Sequence, residues 1–326
     1  MHSTMRSSFF NIPITHEKNR CFLCGRRLGA GATREHIFPA WLLRRFDLWY
    51  QRFTLPNGQD RQYRLIRIPA CGPCNTKHLS RLENQICGAV DAGFETFVQL
   101  PEATIYQWLA KILYEIMYFD GTYFIDPADR SVGTIRTLDD LQRFGTFFDF
   151  LQSVRRPILF NSGFEPWSIF VFRTVLSENV KDNFDYADNP ELLAIATRMN
   201  GIGVIASLED NRAVVGAMSL LFEKLKDEEP VTPIQFRELA ARVFYARSLL
   251  DRDPKYILIG KRPTTVMGLP PQGLSLRPLF RPWDTQTFAH FLSKFTQTPF
   301  EECFIPPDRS ITYLPPYVFQ GSVSAK

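Results

Sequence analysis

The stretch CGPCNTKHLSRLE, residues 71–83, places two cysteines, an asparagine, a lysine and a histidine within eight positions, directly ahead of an amphipathic run. Leu79, Leu82, Ile86 and Val90 recur at spacings of three and four, which predicts a helix over residues 76–90 with Asn75 where it begins. Cys71 and Cys74 form one Cys-x2-Cys knuckle, and Cys21-Phe-Leu-Cys24 forms another upstream. Four thiolates on two knuckles are the tetrahedral ligand set of a structural zinc site. The 46 residues between the knuckles, 25–70, exceed the spacing of a simple zinc ribbon, so zinc is expected to fasten two segments that frame an insert.

Inside that insert lies Arg34-Glu35-His36-Ile37-Phe38-Pro39. Pro39 suits the first turn of a helix over residues 40–53, with Trp41, Leu42, Leu48 and Trp49 on one apolar side. Asn57-Gly58 signals a turn, and the alternation in RQYRLIRIPA, residues 61–70, predicts a strand that delivers the chain to Cys71. If zinc joins the knuckles, Glu35, His36 and Asn75 converge. A carboxylate and an amide oxygen are hard ligands suited to Mg²⁺ or Mn²⁺, and an imidazole beside such a metal can act as general base near neutral pH. The plain alternatives are a hydrogen-bonded structural His36, Asn75 as a helix N-cap, and His78 as a surface residue.

The order Cys-x2-Cys, acidic-His-Ile-x-Pro, Cys-x2-Cys-Asn, over about residues 15–90, resembles the HNH endonucleases (ββα-metal nucleases) in their four-cysteine form, and is similar to the recombination endonuclease VII group. The resemblance implies a small zinc-stabilised ββα-metal module that hydrolyses nucleic acid, DNA in preference to RNA. It implies His36 as the base that activates water, Glu35 and Asn75 as ligands of a catalytic Mg²⁺ or Mn²⁺, and Cys21, Cys24, Cys71 and Cys74 on structural zinc. His78, three residues after Asn75, becomes a further ligand candidate. Nucleases of this kind with a large second domain belong to phage defence and mobile elements. The chain departs from the family in two places: the acidic residue is Glu rather than the commoner Asp, and the asparagine that normally precedes the second knuckle and orients the histidine is absent.

Charge agrees with a polyanionic partner. Residues 1–90 carry 14 Lys/Arg and 5 Asp/Glu, which leaves 24 basic and 29 acidic residues, of totals 38 and 34, for the rest. Arg26, Arg27, Arg34, Arg44, Arg45 and Lys77 are the candidate phosphate contacts. No long apolar run or signal peptide is read, so the chain is expected to be cytoplasmic, with no membrane partner and with cysteines as metal ligands rather than disulfides.

The expected fold class is α+β, with this module at residues 1–90 followed by a larger mixed α+β domain at 91–326. That domain divides into a helical part at 91–155 (helices over 106–119 and 138–154) and a mixed part at 156–262. In the mixed part strands are read in SIFVFRTVL, GIGVIASLE and YILIG, and helices at 212–226 and 233–251. Ten of the 23 prolines fall between Pro263 and Pro316, which predicts an extended tail at 263–326. The domain shows no catalytic motif, so substrate recognition, a homodimer and a regulatory partner all stay open. Two other functions stay open for the whole chain. One is a catalytically inactive, zinc-stabilised nucleic-acid-binding module; the other is a zinc-knuckle protein-interaction module with the function in the C-terminal domain.

Overall fold

Two short strands bring the knuckles together. In a computed structural model of the chain, which describes residues 8–225, 230–260, 262–270 and 277–316, β1 (Ala32–His36) pairs antiparallel with β4 (Arg67–Cys71). The register sets Glu35 opposite Ile68 and His36 opposite Arg67. The first knuckle docks on the same hairpin, because the Phe22 N–H donates to the Pro69 carbonyl at 3.0 Å. Gly25 closes that knuckle at φ 68°, and a Cβ there would lie 2.5 Å from Pro13, so the position requires glycine.

Between the strands lie α1 (Ala40–Arg45), β2 (Arg52–Thr54) and β3 (Asp60–Gln62), β2 and β3 pairing antiparallel. The helix expected over 40–53 stops at Arg45. The Leu48 N–H reaches back to the Leu43 carbonyl at 2.8 Å, and Asp47 takes a positive φ of 51°, which ends the helical path. The strand expected over 61–70 is likewise divided by a 3₁₀ turn at Tyr63–Leu65.

After β4 the chain coils at once. A π-helical segment, Pro73–Leu79, leads without a break into α2 (Ser80–Ala92), so the helix begins earlier than residue 76 and Asn75 lies inside it rather than capping it. Next come α3 (Phe94–Phe97), α4 (Glu102–Asp120), α5 (Leu138–Arg143) and α6 (Gly145–Leu151). The helix expected over 138–154 is thus broken at Phe144. From Ile105 to Asp120 all of α4 is buried except Gln107, and a helix buried on every side belongs to the middle of a core.

The chain forms two compact units: residues 1–159 with 178–182 and 260–265, and residues 160–177 with 183–259 and 266–326. The helical stretch 91–155 therefore belongs with the cysteine-bearing segment, and contacts do not part at residue 90 as the domain expectation had it. The chain passes between units within β5 (Ile158–Phe160) and again, later, within β11 (Thr264–Gly268).

In the second unit β6 (Ser168–Arg173), β7 (Phe184–Asn189), β8 (Ala194–Met199) and β9 (Ile202–Ser207) form an antiparallel sheet in the order β6-β9-β8-β7. Phe170, Phe172 and Ile205 of that sheet pack with Met218 and Phe222 of α7 (Ala213–Glu223) and Phe236, Val243 and Phe244 of α8 (Pro233–Leu249). Strand β10 (Tyr256–Ile259) follows. The Pro-rich segment is not simply extended. It holds α9 (Thr285–Thr296), α10 (Phe300–Cys303) and the small hairpin β12 (Phe304–Ile305) and β13 (Arg309–Ser310); residues 271–276 and 317–326 lie outside the described residues. The fold is mixed α+β with a four-cysteine cluster in its first unit.

Candidate functional site

Cys21, Cys24, Cys71 and Cys74 place their sulfurs within 4.8 Å of one another. A tetrahedral ion with metal–sulfur bonds of about 2.3 Å sets its ligands about 3.8 Å apart, and Cys24 Sγ lies 3.7 Å from Cys71 Sγ. Donor type, number and spacing thus fit one zinc ion. The crowding is also electrostatic. Hydrogen bonding to Cys24 pushes the Cys21 thiol up to about 11, while hydrogen bonds from Cys21 and Cys74 hold the Cys24 thiol far below its ordinary range. Among the described residues this is the one group of three or more His, Cys, Asp or Glu side chains at metal-ligand spacing.

His36 ends β1, four residues along the strand from Ala32, the position opposite Cys71. Its ring lies 5.8 Å from that of Trp49, centroid to centroid, and its Nε2 is buried without a hydrogen-bond partner. Burial first, then the charges of Arg67 and Lys111, lower its pKa to about 4, with Glu83 opposing and Arg44 adding. His36 is therefore a neutral imidazole at physiological pH, with a free ring nitrogen among cations.

Glu35 points the other way, as adjacent strand residues do. Its buried carboxylate accepts from Lys111 Nζ at 2.8 Å. Lys111, wholly buried on α4, also reaches Glu83 at 2.6 Å, Glu115 at 3.3 Å, and the backbone carbonyls of His36 and Ile37 at 3.0 and 3.3 Å. Burial raises Glu35 to about 7, Lys111 pulling it back and Glu83 pushing it up; burial likewise holds Glu115 well above the carboxylate range. For Lys111 burial acts downward, but the three carboxylates outweigh it and its pKa is raised.

Asn75 Nδ2 donates to Thr33 Oγ1 at 3.0 Å, and Thr33 Oγ1 in turn donates to the Ala70 carbonyl. Glu35 and Asn75 therefore have different partners. Lys111 already supplies the positive charge at Glu35 that a divalent cation would bring, and the residues as placed do not fit the expected Mg²⁺ or Mn²⁺ pair. His78 lies close enough to the first knuckle to feel the charge of Cys24. Burial lowers its pKa, as do Lys77 and Arg155, while Cys24 opposes.

Arg26, Arg27, Arg34, Arg44 and Lys77 are exposed. Arg45 is engaged, ion-paired with Asp91 and lying over the Trp41 ring at 5.2 Å. Sequence reasoning passed over Lys111 and Arg67. A single lysine in the apolar run of α4, with Glu115 four residues on, was the available signal for the first; for Arg67 the signal appears only with the strand register. In the second unit a cavity of about 560 Å³ is lined by Phe236, Phe244, Phe291, Phe295 and Lys294, together with Arg237, which pairs with Asp185 at 2.6 Å.

No protein-family model, no curated protein and no solved structure matches this chain. Among the described residues no helix is long and apolar enough to cross a membrane.

Proposed function

We propose that the first unit is an HNH-like module that hydrolyses phosphodiester bonds of nucleic acid, DNA in the first instance, with His36 as general base. The observation that carries this is the state of His36: neutral, with Nε2 unpartnered, at the end of a strand whose partner leads into a zinc-type knuckle and a helix. A neutral imidazole with an unpartnered ring nitrogen can take a proton from water. Arg67 and Arg44, whose charges reach His36, would attract the phosphate being cut, and Arg26, Arg27, Arg34 and Lys77 would hold the flanking backbone without regard to sequence. Cys21, Cys24, Cys71 and Cys74 would hold zinc, whose contribution is to fix the scaffold.

One observation favours a second function, a nucleic-acid-binding module without cleavage. Glu35, the carboxylate the resemblance assigns to the metal, is committed to Lys111. The deciding experiment compares wild type with His36→Ala on supercoiled plasmid, single-stranded DNA and RNA, with and without added Mg²⁺ or Mn²⁺. Both proteins should first show one zinc per chain and equal melting. Cutting by wild type alone supports hydrolysis through His36. Salt-dependent binding by both proteins with cutting by neither would move the assignment to the binding module.

A further inference from the structure

Trp49 and Tyr50 follow directly on the turn that ends α1. The Arg44 guanidinium lies over the Trp49 ring at 5.1 Å, and the same indole neighbours His36 at 5.8 Å. Tyr50 is 68% exposed, and Arg64 lies over its ring at 5.2 Å. Leu43, Arg44, Asp47, Trp49 and Tyr50 line an open pocket of about 380 Å³. The acidic member of that lining, Asp47, is paired with Lys181 at 2.9 Å, so the pocket does not present an uncompensated negative charge to a phosphate. An exposed aromatic ring with guanidiniums beside it is how proteins grip single strands: the ring stacks on a base face, and the cations take the backbone. In a duplex the base faces are covered by their neighbours and offer no such surface.

We infer that Tyr50 and Trp49, flanked by Arg44 and Arg64, form a stacking platform for an unpaired base, so that the strand delivered to His36 is single-stranded. The inference rests on the proposed hydrolysis only for what happens at His36; the binding itself does not require it. Trp49 belongs to both, lining the pocket and neighbouring the imidazole at 5.8 Å. Tyr50 shares its pocket with Arg44, one of the cations whose charge reaches His36.

The test is fluorescence anisotropy, without added Mg²⁺ or Mn²⁺, on a labelled single-stranded DNA, an RNA of the same sequence and the matching DNA duplex. Wild type should bind one of the single strands more tightly than the duplex. Tyr50→Ala should weaken that binding about tenfold, the size of one lost base–aromatic stack, and leave duplex binding unchanged. Tyr50→Phe should retain the wild-type preference. Tyr50 is exposed enough that neither variant should change zinc content or melting. Loss on strand and duplex alike, or no loss on either, would overturn the platform. Tyr50-dependent binding of a strand that wild type does not cut would uphold the platform and defeat hydrolysis. Cutting that requires His36, with binding indifferent to Tyr50, would do the reverse.

Discussion

Lys111 brings one positive charge to a buried site that holds three carboxylates. Removing one partner of such a cluster leaves charge uncompensated in a low-dielectric interior, so Lys111→Met should cost about 3–5 kcal/mol in urea unfolding. Adding Glu115→Gln should change that loss little, since burial already holds Glu115 well above the carboxylate range and it carries no charge at neutral pH. A loss under about 1 kcal/mol, the scale of exposed pairs, would show that the cluster is solvated. His36 gives a pH signature of its own. Folded, it titrates at about 4 against an ordinary 6.5, so between those values the unfolded chain binds the extra proton and folded stability falls as pH falls. Glu35, raised to about 7, acts in the opposite sense over nearly the same range, since the folded state then holds the proton. The wild-type curve therefore blends the two, and the difference from His36→Gln isolates the histidine. Wild type should lose stability relative to that variant as pH drops from 6.5 to 4, and parallel curves would contradict it.

The knuckles and the helix behind them were legible in the sequence because each rests on residues close in the chain. Cys-x2-Cys spacing, Gly25 and the periodicity of 79–90 are local signals. What the sequence hid depends on distance or on averaging. The fate of Glu35 is decided by a lysine 76 positions away, and α1 is cut short by a single residue at positive φ. In the Pro-rich segment, composition taken over some fifty residues concealed α9, a proline-free helix whose Asp284 cap accepts from the Thr287 N–H at 2.7 Å. The strand β7, FDYADN, is a polar edge with every residue half-buried, and neither periodicity nor apolar content marks it. Two predictions belong to elements. Cys74→Ser should remove bound zinc and lower the melting of the first unit, read by metal analysis beside thermal unfolding; full zinc retention would show that Cys74 is not a ligand. In α8 the capping box of Thr232 with Gln235 satisfies two backbone donors, and Thr232→Ala should cost about 1 kcal/mol.

Over the whole molecule, sequence order and compact unit do not coincide. The first unit takes residues 178–182 and 260–265 from beyond its main segment, and α4 supplies the counter-charge of Glu35 and Glu83. A fragment of residues 1–90 loaded with zinc should therefore lack a cooperative thermal transition, while the full chain shows one. A sharp transition in the fragment would mean that the cysteine-bearing segment is self-sufficient. The order of synthesis gives this arrangement another consequence. All four cysteines have left the ribosome once residue 74 is clear, whereas Lys111 follows 37 residues later. The proposed zinc could thus be captured while Glu35 still faces water, and the interior closes over Glu35 and Glu83 only when their lysine arrives.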